Sequence, residues 1–183
     1  MGISKLAVVG ATGNVGREML NILSERNFPC DEVIALASER SEGDAVPFGN
    51  KEIIVQSLSS YDFSETSIAL FSAGGKISEV YAPIAAEQGC IVIDNSSKFR
   101  MDNDVPLIVP EVNIEMLEHY RTTNIVANPN CSTIQMVVAL KPLEDLASIN
   151  RINVSTYQST SGAGKVAMEE LFNQTKGIFS NQP

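Results

Sequence analysis

The chain has 183 residues, enough for one good core or for one domain and the opening of another. Its 44% hydrophobic and 19% charged content are those of an ordinary globular protein, and its longest apolar runs, Ile68–Phe71 and Ile134–Leu140, are far too short to cross a bilayer. With 13 Lys and Arg against 22 Asp and Glu the net charge is −9, the wrong balance for a nucleic-acid backbone, so no nucleic-acid partner and no membrane partner are expected.

Lys5–Val9 is a short apolar run that leads into Gly10-Ala11-Thr12-Gly13-Asn14-Val15-Gly16. Beyond it Val15, Met19, Ile22 and Leu23 fall at helical spacing, which predicts strand, glycine turn, helix. Further strands are expected at Val33–Ala37, Ile53–Val55, Ile68–Phe71 and Ile91–Ile93, with a helix marked by Ile77, Val80, Tyr81, Ile84 and Ala85. Near-continuous apolar strands alternating with amphipathic helices imply a parallel sheet covered on both faces, a Rossmann-like doubly wound α/β fold.

After Asn95 the texture changes. Pro106 and Pro110 interrupt the chain, a short helix is expected near Asn113–His119, and a strand near Asn124–Ala127. Asn128-Pro129-Asn130-Cys131-Ser132-Thr133 then opens a helix, which Pro142 is expected to end early. The alternation of Ile152, Val154 and Thr156 predicts a half-exposed, antiparallel strand over Arg151–Ser159, and Ser161-Gly162-Ala163-Gly164 opens one more helix. These features divide the chain into a dinucleotide-binding domain over residues 1–129 and the start of an α+β domain over 130–183. A new sheet type with one strand implies the front part of a longer protein. The N-terminus has no signal-peptide cleavage pattern, so a cytoplasmic location is expected.

The spacing Gly10-x-x-Gly13-x-x-Gly16, between the first strand and first helix of a βαβ unit, suits a bound pyrophosphate. Glycines allow close backbone approach, and the helix start offers N–H groups and partial positive charge. The end of the second strand bears on the choice of dinucleotide. Glu39 would suit the ribose hydroxyl of NAD, whereas Ser38, Arg40 and Ser41 together can donate to the 2′-phosphate of NADP, and NADP is the reading favoured.

Of the three cysteines, Cys30 and Cys90 read as small buried hydrophobes. No metal-ligand spacing links the three, and all are expected as thiols with no bound metal. Cys131 sits in a polar turn at a helix start, where an anion is stabilised, and reads as a nucleophile. A thiol beside a nicotinamide site suggests attack on an activated acyl group and hydride reduction of the thioester to an aldehyde. The one histidine, His119, reads as a surface residue, so the base of such chemistry is expected outside these residues.

Six segments, GATGNVG (10–16), SERS (38–41), FSAGG (71–75), DNSSKFRM (94–101), PNCSTIQ (129–135) and YQSTSGAG (157–164), give the chain a resemblance to the aspartate-semialdehyde dehydrogenases. The resemblance implies NADP- and phosphate-linked interconversion of L-aspartyl 4-phosphate and aspartate 4-semialdehyde, a step toward lysine, threonine and methionine. It implies that Gly10, Thr12, Gly13, Asn14 and Val15 cradle the cofactor phosphates, that Ser38, Arg40 and Ser41 meet the 2′-phosphate, and that Ser72 and Gly74 also border the cofactor. Arg100 would grip the substrate phosphate, Cys131 would carry the acyl group with Asn130 beside it, and Gln158 would orient the substrate. Ser161 and Gly162 would lie against the nicotinamide. The family's catalytic histidine and further substrate-binding residues belong to a longer C-terminal region, whose domain also forms a homodimer. Two alternatives stand beside this one: an N-acetyl-γ-glutamyl-phosphate reductase, which usually carries Pro-Gly-Cys where this chain has Pro-Asn-Cys, and a non-catalytic NADP-binding module.

Overall fold

The computed structural model describes residues 3–180, which fall into two units that divide between Ile149 and Asn150. In the first unit the apolar runs form β1 (Ile3–Val9), β2 (Cys30–Ala37), β3 (Ala45–Phe48), β4 (Lys51–Ser57), β5 (Ile68–Phe71), β6 (Ile91–Asp94) and β7 (Ile125–Ala127). They make one seven-stranded sheet in the order β3-β4-β2-β1-β5-β6-β7. Every pairing is parallel except that of β3 with β4.

Burial on both faces explains why the strands read as continuous apolar runs. In β1, Ala7 and Val9 join Leu36, Phe71 and Val92 in a cluster with Ala82, Ala85 and Ala86 of α2 (Gly75–Glu87). Leu6 and Val8 point the other way, to a cluster with Leu20 and Leu23 of α1 (Asn14–Glu25). The buried stripe of α1 is Gly16, Leu20 and Leu23, whereas Val15 and Ile22, which the apolar spacing selects, are 46% and 38% exposed. A glycine carries no hydropathy signal, yet Gly16 is where the helix comes closest to the turn beneath it.

Three expectations are corrected, and one strand is added. The strand β3 is absent from the sequence reading because Ala45-Val46-Pro47-Phe48 contains a proline. As the edge partner of β4, Pro47 sits where a missing N–H is tolerated. The helix expected near Asn113–His119 is instead a single turn, α3 (Pro110–Asn113), followed by a 3₁₀ segment, Ile114–Thr122. Pro142 does not end its helix early: α4 runs from Cys131 to Glu144 with the proline in its last turn, where one backbone hydrogen bond is lost rather than a ladder. Residues 151–159 form no strand, and no strand among the described residues pairs with them.

In the second unit a 3₁₀ turn, Thr160–Ala163, is followed by Gly164 at φ +92° and by α5 (Lys165–Ser180), which has no buried residue. The first unit includes α4 and extends past the 129/130 division read from sequence texture.

Candidate nucleotide and thiol site

The chain leaves β1 for β2 on one side, and β5 lies on the other, so the C-terminal ends of β1 and β5 form a topological switch point, the usual ligand crevice of an open α/β sheet. A cavity of about 590 Å³ lies there. Its floor is Gly10, Thr12 and Gly13, one wall is Ala37 to Arg40 with Leu58 and Ser59, and the other is Ser72, Ala73, Ile77 and Tyr81.

The glycine loop is shaped by contacts that admit no side chain. Gly10 has φ +87°, and a Cβ there would stand 2.9 Å from the Ala73 nitrogen. A Cβ on Gly16 would stand 2.1 Å from the Gly10 carbonyl oxygen. The N–H groups of Gly10 and Ala11 both donate to the Leu36 carbonyl, at 2.8 and 3.1 Å, which ties the loop to β2. Gly13 is the N-cap of α1, with no side-chain cap and no acidic residue in the first turn, so no carboxylate of the helix start itself competes with an incoming anion. Arg17 leans back over the loop, its Nε donating to the Thr12 carbonyl at 3.3 Å.

Of the residues expected to bind cofactor, Gly10, Thr12, Gly13, Ser38, Arg40 and Ser72 line the cavity. Asn14 and Val15 form the first turn of α1 beside it, Ser41 closes a 3₁₀ turn begun by Glu39, and Gly74 is the N-cap of α2 at φ +89°. Arg40 is exposed and has no ion-pair partner among the described residues. Leu58, Ser59, Ile77 and Tyr81 were not expected to line the cavity. The first two sit in a turn that has no motif, and the last two read as helix face.

The ends of β6 and β7 reach the same edge of the sheet and carry the second cluster. Asp94 is fully buried, and no cation pairs with it among the described residues. Its carboxylate instead accepts from Ser78 Oγ at 2.7 Å, Ser96 Oγ at 2.6 Å and Ser96 N at 3.2 Å, which offsets its desolvation. This fixes the loop that carries Asn95 and Arg100. Asn128, just past β7, donates from Nδ2 to Asn95 Oδ1 at 2.8 Å. Arg100 binds both ends of this bridge, with Nε donating to the Asn128 carbonyl at 2.9 Å and Nη2 to the Asn95 carbonyl at 3.1 Å. Half-buried and without an acidic partner among the described residues, its guanidinium is a positioned cation. Asn95 and Asn128 were not anticipated as its supports.

Asn130 is the N-cap of α4, its Oδ1 accepting from Thr133 N at 2.9 Å, which makes Cys131 the first residue of the helix. Cys131 is exposed, Cys30 half-buried and Cys90 buried. Burial pushes the Cys90 thiol up to about 12, and burial also raises that of Cys30. Within the second unit Gln158 lies against Gly162, where an added Cβ would stand 2.2 Å from Gln158 Nε2, and Ser159 and Ser161 share a hydroxyl contact of 2.9 Å. His119 is exposed on the 3₁₀ segment. Among the described residues no group of His, Cys, Asp or Glu could hold a metal ion, and no helix is long and apolar enough to cross a membrane.

Residues 5–120 match the family model described as semialdehyde dehydrogenase, NAD binding domain, and residues 140–183 match that of the semialdehyde dehydrogenase dimerisation domain. The chain is 57% identical over 178 residues to aspartate-semialdehyde dehydrogenase 2 of Vibrio cholerae, covering 97% of this chain and 53% of that protein. It is 58% identical over 173 residues to the aspartate-semialdehyde dehydrogenase of Aquifex aeolicus, covering 94% and 51%. Among solved structures, aspartate semialdehyde dehydrogenase II of Vibrio cholerae complexed with ASA superposes with a TM-score of 0.94 at 55% identity, covering 99% of this chain and 54% of that one. An aspartate semialdehyde dehydrogenase with NADP from Candida albicans superposes at 0.70 with 26% identity, covering 80% and 48%. The chain thus spans about half the length of the curated relatives it matches. On the matched domain, the glycine loop and the thiol turn together, the chain belongs to the semialdehyde dehydrogenase family.

Proposed function

We propose that this chain supplies the NADP site and the nucleophile of an aspartate-semialdehyde dehydrogenase, which converts L-aspartyl 4-phosphate to aspartate 4-semialdehyde. One observation carries the reading: the exposed Cys131 opens α4 from the same loop whose Asn128 carbonyl holds the Arg100 guanidinium. A nucleophile and a positioned cation thereby share one support, as an acyl phosphate requires.

The residues carry the chemistry in order. Arg100 receives the phosphate of the substrate, with its fork suited to two oxygens at once. The Cys131 sulfur attacks the acyl carbon, a C–S bond forms, the C–O bond to phosphate breaks, and inorganic phosphate leaves as a thioester remains. Its place as the exposed first residue of α4 leaves the sulfur open to the acyl carbon. When bound, the reduced nicotinamide would supply hydride to the thioester carbon, and Cys131 would be the leaving group as the aldehyde forms. Gln158, Ser161 and Gly162 are assigned to substrate orientation and to the nicotinamide end.

The crevice fits the dinucleotide. Its glycines leave room for no side chain, α1 presents an uncapped N-terminus, and Arg40 has no acidic partner among the described residues. Gly10, Thr12, Gly13, Asn14 and Val15 would hold the pyrophosphate, Ser38, Arg40 and Ser41 the 2′-phosphate, and Ser72 and Gly74 the opposite wall. The matched dimerisation domain supports a homodimer, and three unpaired cysteines suit a reducing cytoplasm.

The test is phosphate-dependent reduction of NADP by the whole protein. Aspartate semialdehyde should be turned over and N-acetylglutamate semialdehyde should not. Cys131→Ala should lower turnover by about a thousandfold or more while NADP affinity stays unchanged. Normal turnover by that variant would end the covalent reading.

A further inference from the structure

The crevice wall at the end of β2 carries opposite charges in adjacent positions, Glu39 and Arg40. A carboxylate there favours a ribose hydroxyl, and a guanidinium favours a 2′-phosphate. The two side chains are not paired with each other. Arg40 has no ion-pair or hydrogen-bond partner among the described residues, while Glu39 Oε1 accepts a hydrogen bond from Ser59 Oγ at 2.7 Å.

Ser59 is in turn 3.0 Å from the Oγ of Ser57, which is 4% exposed at the end of β4. A hydroxyl has one proton to give. Ser59 spends its proton on the carboxylate, so at the contact between the serines Ser59 accepts and Ser57 donates. The three side chains form a row with one direction, from Ser57 through Ser59 to Glu39. Its root is fixed, because Ser57 pairs in register with Ala37, the residue before Ser38.

We infer that Ser59 is a positioning residue for cofactor choice, which holds the Glu39 carboxylate on the β4 turn as an engaged acceptor and leaves Arg40 to select the 2′-phosphate. The inference rests on the reading of this crevice as a dinucleotide site. A carboxylate held by Ser59 has one of its lone-pair sites taken and is tethered away from the free rotation it would need to meet a ribose hydroxyl. Its through-space repulsion of a phosphate acts at an exposed mouth, where salt screens it, whereas direct guanidinium–phosphate contact is screened far less. The net preference is therefore set by which side chain is free to make contact.

Calorimetric titration of the chain with NADP⁺ and with NAD⁺ tests this, with the ratio of the two dissociation constants as the readout. The wild-type chain should prefer NADP⁺. Ser59→Ala should shrink that preference by about fivefold, the scale of one net hydrogen bond, in a protein that still unfolds in a single cooperative transition. Ser59→Thr, which keeps the hydroxyl, should restore it. In a Glu39→Ala background Ser59→Ala should leave the ratio where it was, because the positioned group is gone. The inference is overturned if Ser59→Ala moves both dissociation constants together, or changes the ratio equally in the Glu39→Ala background. A wild-type chain that binds the two dinucleotides equally, or binds neither, removes the NADP reading itself and this inference with it. A wild-type preference for NADP⁺ that ignores Ser59 removes the inference alone.

Discussion

Cys90 and Cys131 are the same side chain in opposite surroundings. Cys90 is sealed behind β6 with its thiol held up to about 12 by desolvation, and Cys131 is exposed at a helix start. Iodoacetamide at neutral pH should therefore modify Cys131 first, Cys30 more slowly, and Cys90 only after denaturant unfolds the sheet. Mass spectrometry of the labelled peptides checks the order, and equal slow labelling of all three would remove the argument for an activated sulfur. The buried thiol also has a pH consequence. Its folded value lies above the ordinary 9.0, so its stabilising contribution is complete below that value and is lost as pH rises toward about 12. The melting temperature should fall over that window more steeply in the wild type than in Cys90→Ala. The sequence marked Cys131 because a polar turn and a helix start are local features. It did not mark Asn95 and Asn128, whose roles as supports of Arg100 arise only when β6 and β7 lie side by side.

At the scale of elements, two helix beginnings are built by opposite means. α1 starts on a glycine with no side-chain cap, and α4 starts on Asn130, which caps its own helix. Substitution should expose the difference. Asn130→Ala removes a hydrogen bond to Thr133 and should cost about 1 kcal/mol in urea denaturation. Gly16→Ala must displace the Gly10 carbonyl, backbone rather than a flexible side chain, and should cost about 3 kcal/mol, the upper range for forcing atoms into a packed site. A smaller loss for Gly16 than for Asn130 would contradict the tight turn. The parallel strands were legible because two-sided burial writes an unbroken apolar run into each. The stretch over 151–159 was misread because alternation states which faces a strand would have, not whether another strand lies beside it.

At the scale of the molecule, the first unit owns two apolar clusters, while every residue of α5 is at least partly exposed. Sixteen residues of helix without burial gain little on their own, and residues 151–159 have no regular structure. Brief trypsin treatment should cut after the exposed Arg151 and leave a resistant piece that still carries Cys131, as gel and mass analysis would reveal. First cuts inside the β-sheet unit would contradict the division at Ile149. All six parallel strands point their chain ends at one rim, and the recognition of phosphate, ribose and acyl group is assigned to the short segments strung along it. The layers beneath hold those segments at defined points, the Leu36 carbonyl under the glycine loop and Asp94 under the loop of Arg100. New substrate preferences can thus be written by exchanging rim segments, with the buried packing left as it stands.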